Sequence, residues 1–175
     1  MDTTDNIFLI LREDVSSCLQ QLNKHDTQFW RRNYVRAVFA FFEGSVFVMK
    51  RMTLDEINEN ALELPAATEA LLMDESYELS EDAEPVSRRL HLPLARNVKF
   101  AFESFARALG ASLQIDPKDL YDFKQAVKVR NRITHPKTNE DVVISDADLT
   151  VVKKAEQWFE HLLATDTPKR LPSDS

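Results

Sequence analysis

Residues 28–51 read QFWRRNYVRAVFAFFEGSVFVMKR. Trp30, Tyr34, Val38, Phe41 and Ser45 follow one another at steps of three or four residues, and Phe39, Phe42 and Val46 widen that stripe well beyond one narrow face. A half-buried strand would need charged and apolar residues to alternate, which Arg31, Arg32, Arg36 and Lys50 do not. The stretch therefore predicts a helix over 28–51, apolar enough to lie centrally in a bundle. Glu43 falls inside the apolar run. A buried carboxylate must be paired or protonated. Glu43 is thus expected either as buried polar support, with an arginine or histidine partner, or on a wet edge of the helix.

The same period extends in both directions. Ile7, Leu11, Val15, Leu19 and Leu22 predict a helix over 5–23, followed by a turn at Asn23–Asp26, with Asp26 or Thr27 capping the next helix. Thr53 with Glu56 reads as a capping box opening a third helix over 53–73, which Pro65 divides. Residues 74–92 read mostly as an irregular connection, long enough to hide a short helix or a strand pair. Val98, Phe102, Phe105 and Leu109 predict a helix over 94–109, stopped by Gly110. Asp116 and Pro117 then open a helix to about residue 133, and Pro136 discourages its continuation through His135. A loop over 137–144, with an extended piece at Val142–Ile144, precedes a last helix capped by Ser145 and Asp148. Its stripe is Leu149, Val152, Phe159 and Leu162 or Leu163.

The expected fold is all-α: a single helical bundle over residues 1–164 with an irregular acidic and basic insertion, and a disordered tail over 165–175 carrying Pro168 and Pro172. A chain of 175 residues is long enough to bury one sizeable core. Its one cysteine, Cys18, excludes an intramolecular disulfide and a cysteine-based metal cluster. Two glycines in the whole chain weigh against glycine-rich phosphate or dinucleotide loops. Neither a metal nor a cofactor is called for. The opening MDTTDNIFLI has no basic residue, and no run approaches the ~20 apolar residues of a membrane span. The expectation is a cytoplasmic protein with no membrane partner.

The net charge of −7 is unevenly spread. Residues 51–87 hold one basic and eleven acidic side chains, whereas residues 88–138 hold eleven basic and four acidic. A negative total can therefore conceal a local anion site. Within the basic block lies Arg130-Asn131-Arg132-Ile133-Thr134-His135-Pro136. RNA cleavage by internal transfer uses these residue types. A histidine moves protons near neutral pH, an arginine binds phosphate bidentately, and an asparagine orients a histidine or donates to a phosphate oxygen. On a helix Asn131 and Arg132 share a face with His135, while Arg130 lies about 140° around from it. Arginine and histidine also favour helix C-termini through carbonyl and dipole contacts. One histidine lacks the second proton-transfer group that cleavage wants, a gap that a two-fold dimer could fill with a second His135.

This segment resembles the HEPN superfamily, small helical bundles with an arginine, four to six intervening residues, and a histidine. Arg130 and His135 match with four between them, Asn131 matches the polar residue that often follows the arginine, and Pro136 fits the helix-ending context. The aromatic-rich second helix also looks like members found in bacterial defence systems. The resemblance implies a metal-independent endoribonuclease acting as a homodimer, using the substrate's 2′-hydroxyl as nucleophile and leaving a 2′,3′-cyclic phosphate. His135 would be the general acid or base, Arg130 the phosphate clamp and Asn131 the orienter. Arg132 and Lys128 would contact substrate. RNA but not DNA would be cleaved, and an antitoxin or defence-system protein would be the partner. The competing reading is a non-catalytic dimerisation or interaction module, with Arg130 and His135 paired inside one subunit or facing solvent separately. A third, an enzyme using Glu43 with His25, His91 or His161, has no local spacing to support it.

Overall fold

The computed structural model describes residues 3–166. Among them are six helices, α1 (Thr3–Lys24), α2 (Gln28–Glu59), α3 (Ala66–Leu72), α4 (Leu94–Ala108), α5 (Pro117–Thr134) and α6 (Asp146–Asp166), and one hairpin, β1 (Glu75–Leu79) and β2 (Pro85–Arg89). The helical class is as expected. None of these helices is long and apolar enough to cross a membrane.

The expected boundary near residue 52 does not exist. Helix α2 continues through Thr53, which is buried and whose hydroxyl donates to the Met49 carbonyl at 2.8 Å. A Thr-x-x-Glu pattern caps only where the preceding chain has left the helix; here the hydroxyl makes the i−4 bond of a helix interior instead. Pro65 does end the following loop and opens α3.

Residues 74–92 hold the strand pair. The strands are antiparallel, with Glu75 opposite Arg89 and Glu78 opposite Val86, and Arg88 Nε meets Glu78 Oε1 at 2.5 Å. The acidic-then-basic charge pattern thus becomes cross-strand pairing of opposite charges. Ser80 and Glu84 close the turn, with Ala83 at a φ of 61°.

The described residues form two compact units, one of residues up to 48 together with those from 114 on, the other of residues 49–113. In the first, rings from four helices meet. Phe42 of α2 lies 5.2 Å from Phe39, 5.2 Å from Phe123 of α5 and 4.6 Å from Phe159 of α6, while Phe8 of α1 lies 5.4 Å from Phe41. Helix α1 crosses so near to Gly44 that a side chain there would press on Leu11, the packing reason for a glycine inside α2. In the second unit, Leu54, Ile57 and Leu72 form a smaller core, joined by Leu64, Phe100 and Ala108.

Helix ends follow their sequence signals. Thr27 rather than Asp26 caps α2, its Oγ1 accepting from the Trp30 N–H, while Asp26 takes Arg31. The Asp116 carboxylate accepts from the Lys118 N–H at 2.7 Å, with Pro117 in the first turn of α5. Ser145 and Asp148 cap α6 reciprocally: the Asp148 N–H donates to Ser145 Oγ and the Ser145 N–H to Asp148 Oδ2. Of the expected tail, Thr165 and Asp166 continue α6, and residues 167–175 lie outside the described residues.

Candidate functional site

Helix α5 carries the motif. Phe123, Ala126, Val129 and Ile133 face the core, at the spacing of one helix stripe. That burial sets the rotation of the helix and so the direction of every other side chain on it. Asp116 and Pro117 set its start, and Pro136 sets its end. His135 is the residue that caps it, at φ −126° and ψ 58°, its N–H still donating to the Asn131 carbonyl at 3.0 Å.

Arg130 projects toward α2. Its guanidinium pairs with Glu43 through Nη2 and donates through Nη1 to Asn131 Oδ1 at 3.1 Å. Glu43 is therefore not a buried group: its side chain is 46% exposed, and it is both the wet-edge carboxylate and an arginine's partner. The apolar run of α2 is wide but does not close around the helix, and Glu43 occupies the gap. Arg36, Phe39, Ala40, Glu43, Arg130, Ile133 and Thr134 line an open cavity of about 300 Å³. Arg36 was not legible as a site residue. Its only signal was its position seven residues before Glu43, which places both on one face of α2.

Arg132 is engaged within the chain. It bonds Asp148 at 2.8 Å, the Val143 carbonyl at 2.9 Å and the Glu140 carbonyl at 3.3 Å. Arg132, expected to contact phosphate, forms a strut between α5 and the loop that leads into α6. The same loop is held from the other side. Gln28 exchanges two hydrogen bonds with Ile144, Arg31 donates to the Ile144 carbonyl at 2.9 Å, and Arg32 donates to the Val142 carbonyl at 3.1 Å. A 3-10 turn at Glu140–Val142 takes in Val142, the first residue of the expected extended piece, and Val143 is extended.

Charges around this loop follow these contacts. Burial pushes the Asp148 carboxyl up, but bonds from the Ser145 N–H and hydroxyl and from Arg132 bring it below the ordinary aspartate range. Asp141 is also held low, by the N–H groups of Lys137 and Thr138. Elsewhere in this unit Tyr34 donates to Glu156; burial, first, and this contact raise the Tyr34 phenol, and burial raises Glu156.

His135 is exposed, and its imidazole has no hydrogen-bond partner among the described residues. Lys128 is also exposed and, among the described residues, meets only Gln125, at 3.0 Å. Arg130, Asn131 and Glu43 are thus brought together, whereas His135 stands beyond them at the helix end. The other histidines, His25, His91 and His161, are all exposed. Among the described residues no group of three or more His, Cys, Asp or Glu side chains is placed to hold a metal ion. Compared with known proteins, the chain matches no family model, no curated protein and no solved structure.

Proposed function

We propose that the chain is a HEPN-like endoribonuclease module that cleaves RNA with protein side chains alone, two copies of His135 meeting across a homodimer. The observation that carries this reading is the end of α5. An exposed imidazole without a competing partner follows an asparagine and an arginine already bonded to each other at the edge of a cavity.

In the reaction the substrate's 2′-oxygen attacks phosphorus and its proton passes to one His135. The bond from phosphorus to the 5′-oxygen breaks, and that oxygen takes a proton from the second His135. The products are a 2′,3′-cyclic phosphate and a 5′-hydroxyl. Arg130 uses two of its five N–H donors on Glu43 and Asn131, which leaves donors for a phosphate oxygen. Its ion pair with Glu43 fixes where the guanidinium stands.

A second reading has its own support. Arg130 is paired inside the chain while His135 faces solvent separately, the arrangement of a non-catalytic dimerisation or interaction module. Incubation of labelled single-stranded RNA with wild type and His135→Ala decides between them. The proposed function expects cleavage that leaves cyclic-phosphate ends, persists in EDTA and disappears in His135→Ala with unchanged circular dichroism. No cleavage by a dimeric wild-type protein selects the interaction module. Cellular roles in phage defence or in a toxin–antitoxin pair belong with the first reading.

A further inference from the structure

The solvent side of α5 is chemically ordered. At about 100° per residue, Tyr121, Lys124, Lys128, Asn131 and His135 fall within a stripe about 80° wide. All five are exposed. The stripe runs about 21 Å along the axis, and Lys124 and Lys128 are separated by a rise of about 6 Å, close to the spacing of neighbouring phosphates in an extended single strand.

Two further features point to an anionic, aromatic-bearing occupant. The lysines are not neutralised: Lys128 meets only the Gln125 amide, and no carboxylate pairs with Lys124 among the described residues. The nearest acidic side chain on the helix surface, Asp122, is turned away from the stripe and takes Lys118 at 3.2 Å. Tyr121 is 61% exposed at the far end, a large ring with no ring partner among the described residues. A lysine pair flanked by an aromatic face is the combination by which proteins track a single strand, cations on the backbone and a base on the ring.

We infer that this face of α5 is a track for single-stranded RNA. The strand runs from His135, with successive phosphates at Lys128 and Lys124 and a base stacked on Tyr121. The inference rests on the proposed function for its direction, since it places the scissile phosphate at the His135 end. It adds Tyr121 and Lys124 as residues that set which side of the cut is held.

The test separates binding from cleavage. A fluorescein-labelled all-2′-O-methyl uridine octamer cannot be cut by 2′-hydroxyl attack, so fluorescence anisotropy with it reads the track alone. Tyr121→Ala is expected to weaken binding at least fivefold, and Tyr121→Phe to leave it unchanged. Lys124→Ala and Lys128→Ala should each lower the salt-dependence slope by about 0.7. No binding by wild type, or equal binding by Tyr121→Ala and the lysine variants, overturns the track. So does competition by poly-glutamate as effective as that by unlabelled octamer, which would mark a general anion surface. Cleavage of the matching RNA is scored apart. His135-dependent cleavage without Tyr121-dependent binding retires the track and keeps the nuclease; the reverse result retires the nuclease and keeps the track.

Discussion

Around Phe42, rings from α1, α2, α5 and α6 interlock. Around Leu54, the apolar cluster is small, and near it a lysine is buried. Lys50 is 1% exposed; its ammonium meets Asp74 at 2.6 Å and the Leu71 carbonyl at 2.9 Å, and lies 5.6 Å from the centroid of the Phe100 ring. The two stretches of α2 are thus buried by different physics. The first depends on apolar area and ring packing, the second in part on a charge that needs its partner. A bare two-stranded hairpin is marginal in water, and the hairpin here begins beside that partner. The Leu90 N–H donates to the Asp74 carbonyl at 2.7 Å, so Asp74 closes the hairpin and neutralises Lys50 together.

The largest effect should come from the aromatic side. Phe42→Ala removes a fully buried ring that touches four others and should cost about 3–5 kcal/mol, read from urea denaturation. A loss below about 1 kcal/mol would break the contrast, since the ring cluster would then not be what holds this unit.

Next is the charge pair. Asp74→Asn keeps a side chain that tolerates the positive φ of 55° but strands the ammonium, and should cost about 2–3 kcal/mol. Adding Lys50→Met should recover most of that, because a buried pair replaced by apolar atoms is often neutral. Without recovery, the pair is not the reason for the loss.

Arg132→Ala should cost about 1–2 kcal/mol, because three acceptors on the loop and on α6 lose their donor. Hydrogen exchange should quicken at residues 140–144. Unchanged exchange there would return Arg132 to the pool of substrate contacts.

The smallest effect is that of acid. The Asp148 pKa is lowered in the fold, so its contribution is present above the ordinary aspartate pKa of about 4 and is lost as pH falls through the lower folded value. Glu156 works the other way. Its raised pKa favours the fold at low pH, and that contribution fades as pH rises through the folded value. Thermal melts below pH 4 should therefore show Asp148→Asn less acid-sensitive than wild type. Equal sensitivity would place the acid response elsewhere.

Most helix ends were legible because their signals are local. Asp116-Pro117, Ser145 with Asp148, Gly110 and Pro136 each act on backbone groups within a few residues of themselves, and the structure places the ends there. The Thr53 boundary misled because the same hydroxyl serves a helix start or a helix interior, and only burial of Leu54 and Ile57 decides which. The site divides in the same way. That Arg130 and Asn131 gather at the end of a helix follows from spacing. That Glu43 would take Arg130, and that Arg132 would be drawn into the loop, does not, because those partners lie 87, 16, 11 and 8 residues away along the chain.

A helical chain with an apolar second helix, a helix-ending arginine–histidine motif, and an acidic block beside a basic one can all be read from residue order. These are properties of periodicity and composition, carried by neighbours along the chain. How the charges are used depends on the folded arrangement. It turned the acidic and basic runs into a hairpin, sent one arginine of the motif to a glutamate and another into a strut, and left the imidazole, Lys124 and Lys128 to solvent. A charged side chain takes whichever partner folding brings within about 3 Å, and no local pattern encodes that distance.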